Sequence, residues 1–99
     1  MALNLSNALL TVARSGTTVY TDIPAQVEPS KLHFTPVGPQ RIQTIMTDPG
    51  LDIIGGDYVT ATFTESGRVR VGTVTFPDDV EGADSYMALT VVGGLLSPT

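Results

Sequence analysis

The clearest alternation in the chain runs through Val59, Ala61 and Phe63, with Thr60, Thr62 and Thr64 between them. A period of two sends the two sets to opposite faces, so this segment reads as a half-buried β-strand. Glu65-Ser66-Gly67 follows with turn chemistry. The return run carries Val69 and Val71 on one parity, then Val74 and Phe76 on the other. Gly72 stands where that parity inverts, which predicts a β-bulge there. A second alternation sets Val19, Ile23, Ala25 and Val27 against Tyr20, Asp22, Gln26 and Glu28. It predicts another strand, at an edge or interrupted at Pro24, because proline has no N–H to give to a ladder. Strand-like runs from Leu9 to Ala13, from Arg41 to Thr47 and from Tyr86 to Val92 predict three more, the last with Met87, Leu89 and Val91 alternating. Ser15-Gly16 and Asp48-Pro49-Gly50 read as turns, and Gly55-Gly56 ends the short apolar segment Leu51, Ile53, Ile54.

These elements predict an all-β fold. Residues 1–99 form one domain, a small β-barrel or sandwich of about six short strands. The expected core is Val19, Ile23, Val27, Val59, Ala61, Phe63, Val69, Val71, Val74, Leu89 and Val91. Residues 1–7 read as an N-terminal arm and 93–99 as a tail, and Pro77 to Asp84 reads as an acidic loop. The segment 29–40 holds Pro29, Pro36, Gly38 and Pro39 and is expected to be an extended loop. Loops of that length within a small domain are uncommon and tend to be functional or disordered. Leu32, Phe34 and Val37 supply it with apolar groups, which marks them as candidate protein-contact residues. With the arm and the tail, this loop is expected to carry contacts between subunits or with partners. The alternative is that Leu32 and Phe34 fold back on their own domain.

Charge narrows the function. Only 15% of the residues are charged, and the net charge is −5. The five cations, Arg14, Lys31, Arg41, Arg68 and Arg70, are scattered. Phosphate-backbone binding draws on clustered Lys and Arg, so a dedicated nucleic-acid binder is not expected. A surface short of charge and rich in Thr, Ser, Gly and Pro suits lasting contact with neighbours. There is no cysteine, hence no disulfide or thiolate metal site. The first residues lack the basic start of a signal peptide, and no apolar run is long enough to span a membrane as a helix.

Chemistry-bearing clusters are weak. His33 is the only histidine, and no G-x-S-x-G elbow accompanies it. Asp78, Asp79, Glu81 and Asp84 lack the spacing and the distant glutamate of a Ca²⁺ loop, with Gly82 in the wrong place. Asp48, Asp52 and Asp57 flank turns and serve there. Gly55-Gly56-Asp57 lacks the lysine and helix of a phosphate loop. The rings Tyr20, Tyr58, Tyr86, Phe34, Phe63 and Phe76 would stack bases only beside a basic groove, which the composition does not provide. The chain is therefore not expected to be an enzyme, and no catalytic, cofactor-binding or metal-ligating residue is assigned.

Two segments carry a family resemblance. Thr18 to Pro29 (TVYTDIPAQVEP) resembles the extended-strand opening of bacteriophage head–tail connector proteins. Asp48 to Val59 (DPGLDIIGGDYV) resembles their apolar pair, Gly-Asp and strand. Arg68 to Phe76 and Tyr86 to Val92 fall where that family has its closing strands. The family is the head-closure, or stopper, proteins of long-tailed phages, and the likeness covers residues 17 to 92. It implies a ring of copies in the virion neck, assembled in the host cytoplasm, between portal or adaptor and tail proteins. DNA would pass through the ring without specific binding, and no membrane is involved. Acidic subunits would favour passage over adhesion. Two other readings stay open: a capsid decoration protein that stabilises the head, and a free OB-like binding module.

Overall fold

The computed structural model describes residues 6–80 and 86–98. It is all-β, and no helix occurs among the described residues. There are eight strands where the pattern indicated about six: β1 (Ala8–Arg14), β2 (Thr17–Val27), β3 (Lys31–Thr35), β4 (Gly38–Thr47), β5 (Tyr58–Phe63), β6 (Val69–Thr73), β7 (Phe76–Val80) and β8 (Tyr86–Val92). They form one antiparallel sheet in the order β6-β5-β1-β2-β4-β8-β7, with β3 attached to β4 alone. The hydrogen-bond path does not close on itself. Its end strands, β6 and β7, are instead consecutive in the chain, separated only by Val74 and Thr75.

The first strand is central. It pairs with β2 on one side and β5 on the other, and Ala8, Leu10 and Val12 send their side chains into the core with no exposure. Its turn uses Ser15 and Gly16, both at positive φ, the backbone that a tight two-residue hairpin turn requires. The rest of the core is Ile23, Ala25, Val27, Ile45, Ile53, Val59, Ala61, Val74, Met87, Leu89 and Val91. Burying these side chains is the main favourable term in folding.

Sequence expectations for β2 and β6 are corrected in part. Val19 is only half-buried, and Tyr20 packs against the core in its place. The register explains the switch: Leu10 faces Ile23, but Val12 faces Tyr20, and Asp22 lies at φ 55°. One extra residue in β2 inverts the parity. At Pro24 the second of the two expected alternatives holds: β2 is not an edge strand, but its second ladder is interrupted there. Pro24 pairs with Leu9 and lies just outside the β2–β4 ladder, which begins at Ala25. The bulge expected at Gly72 is absent, because β6 runs in unbroken register with β5 from Val69 to Thr73. Gly72 faces the buried Val59, so the inward positions of β6 are Arg70 and Gly72, continued by Val74. Val69 and Val71 lie on the other face and are half-buried, and Phe76 is exposed. A Cβ at Gly72 would lie 2.9 Å from Leu95 Cδ2 and 3.0 Å from Val91 Cγ1. The glycine marks a close approach rather than a kink.

The expected arm and tail are folded in where they are described. Asn7 bridges to β2, donating from Nδ2 to the Val27 carbonyl (3.1 Å) and accepting the Val27 N–H at Oδ1 (2.8 Å). Residues 1–5 of the arm lie outside the described residues. After Gly93 and Gly94 the tail crosses to β6, where Leu96 and Val71 exchange both backbone hydrogen bonds at 2.8 Å. Gln43 Oε1 accepts the Leu95 N–H at 2.8 Å, and Leu95 packs on the core.

Candidate protein-contact ribbon

The segment expected to be an extended loop is a β-ribbon. Lys31 pairs with Ile42, Leu32 with Arg41, His33 with Gln40, Phe34 with Pro39 and Thr35 with Gly38. Its three prolines fall where a hairpin tolerates them. Pro29 precedes β3, and Pro36 occupies the first position of the two-residue turn, where its fixed φ suits the bend. Pro39 lies on the part of β4 that has β3 as its only neighbour, so its missing N–H breaks no second ladder. Thr35 Oγ1 closes the turn by donating to the Gly38 carbonyl at 2.7 Å. Proline density suggested a loop; proline position permits a hairpin.

From Lys31 to Arg41 the ribbon meets no other strand. The β4–β8 ladder starts at Ile42 and the β4–β2 ladder at Ile45. Side chains on both of its faces are exposed, and within the ribbon only Thr35 and Gly38 are half-buried. The candidate contact residues sit here: Leu32 is 54% exposed, Phe34 75% and Val37 89%. Leu32 and Phe34 share a face with Arg41 and Pro39, and Val37 is at the tip. They do not fold back on the domain.

Beside the ribbon root lies a groove of about 580 Å³. Its floor is the outer face of β4 and β8, with Ile42, Thr44 and Met46 beside Tyr86, Ala88 and Thr90. Lys31 and His33 line its ribbon side. On the other side β7 presents Phe76 opposite Thr90 and Asp78 opposite Ala88, on the same face as the floor. The expected acidic loop is thus in part a strand, which strand-like pairing with β8 explains. Glu81 and Asp84 lie outside the described residues.

The one ion-pair network among the described residues is structural. Arg14 grips Asp57 through two parallel hydrogen bonds, Nε to Oδ1 at 2.8 Å and Nη2 to Oδ2 at 2.9 Å. Arg14 also donates to the Asp52 carbonyl at 3.0 Å, and Asp57 Oδ2 accepts the Ile54 N–H at 3.0 Å. The Asp52 N–H donates to the Tyr20 hydroxyl at 2.7 Å. Asp57 is 1% exposed. The hydrogen bonds from Arg14 hold its carboxyl below the usual carboxylate range, against the opposing effect of burial. The network ties the segment between β4 and β5 to the β1–β2 hairpin. Asp57 is therefore more than a turn residue. Nothing local in the sequence joins it to Arg14, which is 43 positions away.

His33 is exposed on β3, and no set of three metal-ligating side chains converges among the described residues. The chain matches no protein-family model, and no curated protein or solved structure matches it either.

Proposed function

We propose that this chain is a structural assembly subunit of a virion: a head–tail connector of the stopper type, repeated as a ring between portal or adaptor and tail. The observation that carries the reading is the uncovered ribbon. A two-stranded ribbon with neither face packed is marginal in water, and exposed Leu32, Phe34 and Val37 add apolar surface that a lone monomer gains nothing from presenting. Such groups are accounted for by a partner. The likeness of Thr18 to Pro29 and Asp48 to Val59 to phage connectors names the assembly, and a net charge of −5 suits a channel that DNA traverses without sticking.

Counting copies per particle tests the proposal. A neck ring of closed cyclic symmetry contributes about a dozen copies or fewer. Hundreds of copies would instead make the chain a capsid decoration protein. Its absence from particles would leave a free binding module. Deletion of Leu32 to Val37 is expected to abolish assembly, and infectious particles from that variant would reject the contact role of the ribbon.

A further inference from the structure

A cavity of about 310 Å³ opens beside the start of β6, lined by Gln43, Phe63, Ser66, Arg68, Arg70 and Leu95. Two of the chain's five cations line it, and none of its ten acids does. Arg70 stands opposite the fully buried Ala61, so it lies on the core-facing side of β6, where it is half-buried. Arg68 continues the same ladder, its carbonyl accepting the Phe63 N–H at 2.8 Å. A spacing of two sets both arginines on one side of an extended chain, about 7 Å apart. Among the described residues neither guanidinium meets a carboxylate, for the ion pairs there are those of Arg14. Arg70 Nη1 donates to the Val69 carbonyl at 3.0 Å, and the other side-chain donors of both arginines have no partner among the described residues. Withdrawing a cation from water without a countercharge opposes folding. An anion in the cavity offsets that cost.

We propose that this cavity binds a phosphate monoester, with the phosphate between Arg68, Arg70 and the Ser66 hydroxyl and the organic group against Phe63 and Leu95. Two guanidinium forks match the charge and the oxygens of a phosphate dianion, whereas a carboxylate would leave one arginine uncompensated. Ser66 Oγ accepts the Arg68 N–H at 3.2 Å, which leaves its own proton to donate. Phe63 and Leu95 both pack against the core, and their apolar surfaces strengthen the attraction between charges beside them. The walls are set in advance. Gln43 uses both ends of its amide, Nε2 donating to the Glu28 carbonyl at 3.0 Å and Oε1 accepting the Leu95 N–H at 2.8 Å. Little ordering is therefore needed on binding. The site is separate from the groove beside the ribbon: Gln43 points away from its neighbours Ile42 and Thr44, which floor that groove. The inference is thus independent of self-assembly.

Titration calorimetry of the full chain at low salt tests it with three probes: phenyl phosphate, benzoate and a single-stranded oligonucleotide. Phenyl phosphate is expected to bind at one site per chain, at least tenfold more tightly than benzoate, which carries the same ring on a carboxylate. Arg68→Gln and Arg70→Gln should each weaken it tenfold or more. Lys31→Gln removes the same charge from the ribbon groove and should leave the affinity within about twofold. Without ligand, Arg70→Gln should not lower the urea midpoint, because it removes a cation that no described carboxylate compensates; a lowered midpoint would make Arg70 a structural residue and overturn the assignment. Absence of saturable phenyl phosphate binding would overturn the site, and so would equal weakening by Lys31→Gln. Benzoate binding as tightly as phenyl phosphate would overturn the ligand class. Oligonucleotide binding that depends on Arg68 and Arg70, without phenyl phosphate binding, would overturn it in favour of a nucleic-acid backbone.

Discussion

Two hairpins of this chain have similar local chemistry and opposite fates. The β1–β2 hairpin is flanked by β5 and β4, buries Ala8, Leu10 and Val12, and is tied at its turn by Arg14 to Asp57. The β3–β4 ribbon has a comparable ladder and turn, yet between Lys31 and Arg41 it touches no third strand. Leu10 is fully buried, whereas Phe34 is three-quarters exposed. Hydrogen bonds within a ribbon therefore do not decide whether it belongs to the core. The decision rests on what lies against its faces and edges, and where nothing does, apolar side chains stay exposed.

The contrast breaks most severely at the buried end. Leu10→Ala leaves a cavity under three strands and should cost about 2–5 kcal/mol in urea denaturation, enough to unfold a marginal domain. Asp57→Ala removes the acceptor for Arg14 and for the Ile54 N–H. Loss of a buried, hydrogen-bonded carboxylate partner should cost about 2–3 kcal/mol by the same measurement.

The pH dependence of that pair has a definite sign. Because the pKa of the Asp57 carboxyl is lowered in the folded state, its contribution is fully present above the unfolded value of about 4. It is lost as pH falls through the lowered folded value. The thermal midpoint should therefore drop on acidification below about pH 4, and Asp57→Asn should flatten that limb. An unchanged limb in the variant would remove Asp57 from the account.

Gly72→Ala sharpens the comparison at the seam. The new methyl meets Leu95, whose flexible end can yield, and Val91, which is held in the core. Overpacking, partly offset by the lower entropy of the unfolded alanine chain, predicts a loss of about 1 kcal/mol, with faster hydrogen exchange at Leu96. The smallest effect belongs to the ribbon. Phe34→Ser should change monomer stability by less than about 0.5 kcal/mol, since the ring packs on little. A loss comparable with Leu10→Ala would show that Phe34 serves the fold.

The sequence by itself determined the strand class and most turns, and it singled out Leu32, Phe34 and Val37, which are exposed. Alternation at Val59, Ala61 and Phe63 follows from the two-residue pleat, and Ser15-Gly16 from the positive φ of its turn. Alternation alone cannot say which parity faces inward once a register shifts. One residue added in β2 exchanged Val19 for Tyr20, and an unbroken β6 put Gly72, not Val71, opposite Val59. Proline density at 29–40 was legible, but its reading as a loop failed because proline forbids a ladder bond only where a neighbour needs it. The Arg14–Asp57 lock, the crossing of the tail to Val71 and the groove beside the ribbon were decided by tertiary structure alone. Each joins positions far apart in the chain, and no local spacing records which distant residue will arrive.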